Sequence, residues 1–392
     1  MKKSPLLILF VTVFLDLVGF GIVLPILPFY AESFGATALM VGLLSTSYSL
    51  MQFLFAPFWG WFSDRVGRRP VILVGLLGSS VSYLIFGAAN TLPVLFLSRI
   101  FAGIAGANIA TAQANIADST EPQNRARGMG LIGAAYGLGF IFGPAIGGLL
   151  SPFGYGVPAF FASGLAFCNF VAATQFLPET LKPEGNRSKS KGWNLGRLGR
   201  TLRYQELGLY LALFFIATFA FANLEATFAL MTERKFGYNA HHNGLLFAYI
   251  GVLITVMQGG FIGLLVKRFG EQRLVRIGLF SMVLSLALLP YAAGLATLLL
   301  VLVALSFGHG AAGPSITSLI SQLSGQDDQG GTLGMAQSLA SLARILGPVW
   351  GGFTFDRFGF QYPYLTGSLF MAVAFLLSLH GKGRQIAVSG VA

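Results

Sequence analysis

Charge is scarce in this sequence. Only 10% of its 392 residues are Asp, Glu, Lys or Arg, against about 25% in ordinary soluble proteins. With 55% hydrophobic residues and a mean hydropathy of +0.72, that deficit excludes a water-soluble globular domain. Cysteine is nearly missing too. Cys168 is single, so no intrachain disulfide can form, and its place in an apolar run beside Phe167 and Asn169 carries no information about compartment. The four histidines do not gather with other donors: His241 and His242 are adjacent and would diverge on a helix, which completes no metal-ligand spacing. No nucleophile and base pair and no sensor domain are visible. The reading is therefore not an enzyme, with no catalytic residue, metal or cofactor expected. The start, MKKSPLLILFVTVF, has a charged-then-apolar pattern but no small-residue cleavage site, so it reads as a first membrane helix.

What the chain has in abundance is long apolar runs separated by polar punctuation. A run needs about 20 residues to cross the hydrocarbon as a helix. Twelve such helices are expected, near 5–30, 37–62, 70–89, 92–117, 127–150 and 157–178, then 207–231, 242–266, 274–292, 296–320, 331–352 and 361–380. Residues 1–178 form one six-helix bundle, 179–206 a polar linker and 207–392 a second bundle with a short tail. A short amphipathic helix on the membrane surface is expected near Trp193 to Leu202.

The net charge of +11 invites a nucleic-acid reading, but distribution decides otherwise. Of 25 Lys and Arg, 20 fall on one side of these helices, three (Arg234, Lys235 and Arg357) on the other, and Arg99 and Arg344 lie inside. That bias places both termini in the cytoplasm. The expected partners are lipid, protons and a small molecule, with no nucleic acid.

The halves repeat. Gly60, Arg65 and Gly67 recur as Gly263, Arg268 and Gly270, while Gly143, Pro144, Gly147 and Gly148 recur as Gly347, Pro348, Gly351 and Gly352. Two matches at nearly one offset imply a parallel duplication, an arrangement that lets two bundles rock about a central site. The densest charge cluster, GWFSDRVGRRP from Gly60 to Pro70, is expected as a short loop between two membrane helices. Gly60 permits close approach, Asp64 is an anion near helix ends, and Arg65, Arg68 and Arg69 are permanent cations. The plainer reading is a topology anchor with a turn glycine at Gly67.

In the fourth helix Arg99, Gly103, Gly106, Ala110 and Gln113 share one face. A buried arginine must face a partner or water, unless it snorkels to the interface. In the fifth, Gly139, Gly143 and Gly147 stand four apart with Pro144 among them, a stripe that allows close helix packing and a bend. Asp16, Glu225, His309 and Arg344 are the other ionisable residues within spans. Acids in helix centres are functional by default and suited to proton exchange; the alternative is a structural salt bridge of Asp16 or Glu225 with Arg344 or Arg99. His309 reads equally as a polar packing residue or a proton relay. Cavity-lining candidates are Tyr48, Gln52, Gln113, Phe221 and Phe228.

The GxxxDRxGRR pattern of residues 60–69, LSRIFAG around Arg99, GLGFIFGPAIGG in the fifth helix and LDLVGFGIVLPILP around Asp16 resemble the major facilitator superfamily, and within it the twelve-helix drug/H+ antiporters. The first half is especially similar to the tetracycline exporters. The resemblance covers all but the linker and the last ten residues. It implies two pseudo-symmetric six-helix bundles in an all-α integral membrane protein, a monomer in a bacterial inner membrane. It further implies a conformational latch at Asp64 against a helix end of the other half, proton handling by Arg99, and a gate seal between the halves at the fifth-helix glycines. The implied function is proton-coupled efflux of a hydrophobic, cationic compound, with a role in antibiotic resistance; a metabolite facilitator or symporter is the alternative, and a nontransporting receptor ranks below it. Tetracycline exporters carry acids and a histidine where this chain has Ser82, Met282 and Ile254, which argues against tetracycline as substrate.

Overall fold

The computed structural model of the protein describes residues 5–107, 111–112, 115, 125–179, 205–324 and 329–380. Gln113, and nearly all of the expected linker, lie outside the described residues. The helices are α1 (Pro5–Val23), α2 (Leu27–Glu32), α3 (Ala38–Val66), α4 (Arg68–Gly87), α5 (Leu92–Gly106), α6 (Arg125–Leu150) and α7 (Gly156–Phe176) in the first half. The second half holds α8 (Gln205–Phe236), α9 (Ala240–Val256), α10 (Ile262–Phe269), α11 (Glu271–Leu288), α12 (Leu295–Leu323), α13 (Gln329–Phe358) and α14 (Tyr362–His380). Among the described residues nine helices are long and apolar enough to cross a membrane, with Ile8–Val23 and Leu92–Gly106 as shorter apolar helices. This is a multi-pass membrane protein.

Several expected boundaries shift for identifiable reasons. The first helix breaks after Val23, where Pro25 and Pro28 interrupt the backbone ladder, and resumes as α2. The Gly60 to Pro70 stretch is not a loop. Helix α3 runs through Asp64 and Arg65 to Val66, Gly67 alone turns the chain at φ 113°, and α4 begins at Arg68. Only glycine adopts that conformation cheaply. The expected 242–266 helix passes through one π-helical stretch, Met257–Phe261, between α9 and α10.

Within the first half α1 packs on α6 and α7, and α4 lies between α5 and α7. Within the second, α8 packs on α12, α13 and α14, and α11 between α12 and α14. Two antiparallel seams join the halves: α3 with α13, and α6 with α9. Buried polar groups must pair inside a bilayer, and they do so locally: Asn169 donates to the Thr12 carbonyl at 2.9 Å, Ser80 and Ser163 bond each other's carbonyls, and Asn223 donates to the Pro363 carbonyl at 2.6 Å.

Candidate functional site

The repeated Gly-Pro-x-x-Gly-Gly motif positions everything central. In α6 the stripe divides by direction. Gly139, Gly143 and Gly147 face α1 of the same half, where added Cβ atoms would strike the backbone or side chains of Leu17, Val18, Gly21 and Ile22. Gly148 faces the other half, with its Cβ position 2.8 Å from Gly244 Cα and 2.9 Å from the His241 carbonyl, and the Pro144 carbonyl lies against Gly244. The expected interface seal therefore applies to Pro144 and Gly148; the other three glycines bed α1. The second copy divides identically. Gly347 and Gly351 pack on Phe219, Ala222 and Asn223 of α8, whereas Pro348 and Gly352 meet Gly42 and Ala38 of α3 across the halves.

Hydrogen bonds between the halves, among the described residues, lie toward the end of the molecule that carries Glu32. Ala38 and Leu39 N–H donate to Asp356 at 3.1 and 2.8 Å, Thr46 Oγ1 donates to the Ile345 carbonyl at 2.7 Å, and His241 Nδ1 lies 3.1 Å from the Gly148 carbonyl. At that end the Glu32 and Glu233 carboxyls also face each other from α2 and α8. Burial pushes Glu32 up to about 7, helped by the hydrogen bond and the repulsion from Glu233 and opposed by Arg234. At the opposite end Gly60 has open space where a Cβ would stand.

There the expected latch takes a different form. Asp64 pairs with Arg68 at 2.6 Å, one helical turn on, and its side chain is 53% exposed. The anion at the α4 N-terminus is Glu179, which accepts from Arg68 N–H at 3.0 Å and Arg69 N–H at 3.1 Å. The guanidinium of Arg69 reaches the Thr174 carbonyl, and Arg65 lies over the Trp61 ring at 4.1 Å. Glu179 was not among the sequence candidates, although its place at the end of an apolar run, before a basic stretch, was visible.

In the interior, α1 presents Asp16 beside Ser79 of α4, at the edge of a small cavity lined by Thr12, Ile72, Leu76 and Ala112. Tyr48 of α3 stacks near Phe20, with ring centroids 5.3 Å apart, and accepts from Gln52 Nε2, which also donates to the Gly106 carbonyl at 3.1 Å. Arg99 is 3% exposed, its guanidinium 4.8 Å from the Phe86 ring, with Nε and Nη2 lacking hydrogen-bond partners among the described residues. It therefore does not snorkel. Across the seam, Arg344 of α13 is close enough to act electrostatically on Tyr48 and Tyr136 of the first half and on Glu225 of the second. Glu225 shares α8 with Phe221, whose ring stacks on His309 at 3.9 Å and 16°.

Two expectations fail here. The suggested salt bridges of Asp16 or Glu225 with Arg344 or Arg99 are absent, since the ion pair found among the described residues is Arg68 with Asp64. Phe228 is fully buried, edge-on to Phe247 at 5.4 Å, and belongs to the core rather than a cavity. The helical turn it occupies sets it against α9, away from Phe221.

Comparison with known proteins gives a consistent picture. A family model described as Major Facilitator Superfamily matches residues 9–348 and 260–385. The chain is 29% identical over 388 residues to multidrug resistance protein 2 of Bacillus subtilis, covering 98% of this chain and 96% of that one. It is 35% identical over 358 residues to the class G tetracycline resistance protein of Vibrio anguillarum, covering 90% of each. Among solved structures, the human organic anion transporter MFSD10 (TETRAN) superposes with a TM-score of 0.73 at 27% identity, covering 96% of this chain and 99% of that one.

Proposed function

The chain belongs to the Major Facilitator Superfamily, and from that membership we infer that it is a proton-coupled exporter of hydrophobic, cationic small molecules. A multidrug resistance protein and a tetracycline resistance protein are among its relatives, which favours export of a drug-like compound over a metabolite facilitator. The observation that carries the proton reading is the interior pair of acids, Asp16 from the first half and Glu225 from the second, neither in an ion pair among the described residues, with Arg344 reaching into both surroundings. A carboxyl held out of water without a fixed counter-ion exchanges a proton readily for a cation that can replace it.

The charge bias assigns both termini and the Asp64 end to the cytoplasm, and the Glu32 end to the outside, of a bacterial inner membrane. Residues 1–178 and 207–380 then act as two bundles around the site, and the contacts described above close the outside. Substrate enters from the cytoplasm and lies among Tyr48, Gln52 and Phe221, with Asp16 or Glu225 ionised. Once the outside opens, protons take the acids and the cation leaves. Inward opening returns the protons, so the proton gradient is the driving force and no cofactor takes part. Arg99 and His309 line the proton's surroundings, and the protein works as a monomer. Ser82 is buried and donates to the Gly78 carbonyl, and Met282 is fully buried. Neither position offers an acid for a chelated drug, which favours substrates other than tetracycline.

Transport by purified protein in vesicles with an imposed pH gradient tests the coupling. Efflux of a cationic dye should rise with an outside-acid gradient; efflux indifferent to the gradient removes the proton from the mechanism. Asp64 is the latch of the outward-open state in this reading, so Asp64→Asn should slow exchange between states and spare equilibrium substrate binding.

A further inference from the structure

The C-terminal end of α13 reads GFTFDRFG from Gly352 to Gly359, and the C-terminal end of α3 reads GWFSDRVG from Gly60 to Gly67. Both are Gly-x-x-x-Asp-Arg-x-Gly. Both close with a glycine in the same left-handed conformation, φ 113° at Gly67 and 111° at Gly359. The two helices pack against each other and run in opposite directions, so each one's motif lies at the other's N-terminus.

At the Glu32 end that juxtaposition is made. Beyond the cap residue itself, the N–H groups of the first three helical residues have no partner within the helix. Thr37 accepts from Met40 N–H, and the remaining two, Ala38 and Leu39, are taken by the Asp356 carboxylate. The motif glycine, Gly352, brings the backbones together, with its Cβ position 2.6 Å from Leu39 Cα. At the Asp64 end the same two positions are unused: Gly60 has open space around it, and Asp64 is held by its own Arg68.

We propose that Asp356 is the counterpart of Asp64, and that the two motifs engage alternately, Asp356 on the α3 N-terminus when the Glu32 end is shut and Asp64 on the α13 N-terminus at Gln329 when the Asp64 end is shut. The Asp356 half stands on the contacts above. The alternation rests on the reading of Asp64 as a latch. Each engagement places an anion on a positive helix end and satisfies N–H groups that otherwise need water. Parting the halves at one end releases one set as the other set forms, so the two closed states are balanced by similar chemistry at opposite faces.

The two assignments are separable by distance measurement in lipid vesicles without substrate, in a Cys168→Ser background. Spin labels on cysteines replacing Phe153 and Tyr291 report the Glu32 end; labels replacing Gln175 and Leu264 report the Asp64 end. Asp356→Asn should lower the ratio of shut to open at the Glu32 end by about fivefold to tenfold, and Asp64→Asn should raise it. The double variant should return toward wild type. Asp356→Glu, which keeps the charge, should restore part of the closed population and separates loss of the contact from misfolding. An unchanged Glu32-end distribution in Asp356→Asn protein that elutes and melts like wild type overturns the assignment of Asp356. A shift with Asp356→Asn but none with Asp64→Asn leaves Asp356 as a latch and overturns the alternation.

Discussion

The two Gly-Pro-x-x-Gly-Gly segments, in α6 and α13, have the same packing and different endings. In each, the first two glycines of the motif seat a helix of their own half, and the proline carbonyl and last glycine meet the opposite half. After Gly148 the chain passes into Leu149, Leu150 and a 3-10 turn at Ser151–Phe153, with no charge. After Gly352 it continues as helix to Asp356, which binds α3. Small residues thus supply close approach symmetrically, while charge at the seam is supplied on one side only. Packing makes the closed contact possible, and the acid makes one of the two seams specific to a state.

The sharpest way to break this comparison is to enlarge the outward-facing glycines. Gly148→Leu or Gly352→Leu should cut transport by a hundredfold or about that, because the new side chain meets backbone across the seam, where overpacking costs ~1–3 kcal/mol or more. The folded protein should persist with its Glu32 end open. Gly147→Leu, which strikes the Ile22 backbone within one half, should instead lower the melting temperature. Equal melting losses in Gly147 and Gly148 variants would erase the division of roles. Next in size, Glu225→Gln or Asp16→Asn should reduce gradient-driven efflux about tenfold to a hundredfold while leaving substrate-stimulated counterflow; retention of full coupling in both variants would remove the acids from the proton path. Phe228→Ala should cost ~3–5 kcal/mol of stability, as for other large core deletions, with little change in substrate affinity. Phe221→Ala should show the reverse, weakening dye binding severalfold by fluorescence titration.

The smallest effect concerns pH. The Glu32 carboxyl is raised from 4.5 to about 7 where it faces Glu233 with the seam shut. A raised acid binds its proton better in that state, so closure carries no penalty below about 4.5 and the full penalty above about 7. Closure at the Glu32 end should weaken as pH rises through that window, by a few-fold since Glu32 is only half-buried and water screens it. Glu32→Gln should flatten the profile, read by the same label pair at Phe153 and Tyr291. A wild-type profile flat between pH 5 and pH 8, as roughly the span of the raised value, would show that the pair does not sense protons.

Much of this was legible in the residues. Apolar runs announced the membrane helices, the repeat of Gly143, Pro144, Gly147 and Gly148 at Gly347 to Gly352 announced the duplication, and the interior acids stood out by scarcity. Direction was not legible. A spacing of four puts Gly139, Gly143 and Gly147 on one stripe but does not say whether α1 or α9 lies against it, because both are apolar. For the same reason Phe221 and Phe228 look equivalent in sequence, and only their neighbours distinguish a ring on His309 from one in the core. Glu179 and Asp356 were missed because each acts on a backbone N-terminus distant in the chain. The Asp-Arg-x-Gly at Asp356 was nonetheless a readable signal, a third relative of the patterns ending at Gly67 and Gly270.

The wide turn at Met257–Phe261 has a bearing on how this chain tolerates length changes. An α-helix advances about 100° per residue, and a π turn holds one residue more than its neighbours. Deleting either Gly259 or Gly260, both of which face open space, would let regular winding resume and keep the polypeptide continuous. Because the residue removed is the extra one that the wide turn absorbs, the helix downstream would keep nearly its present facing, and Lys267 and Arg268 would stay close to the same compass point around the axis. A single-codon loss there would leave both the span and the aim of its cationic tip almost unchanged, whereas the same loss in the regular winding of Ala240–Val256 would turn that tip by about 100°.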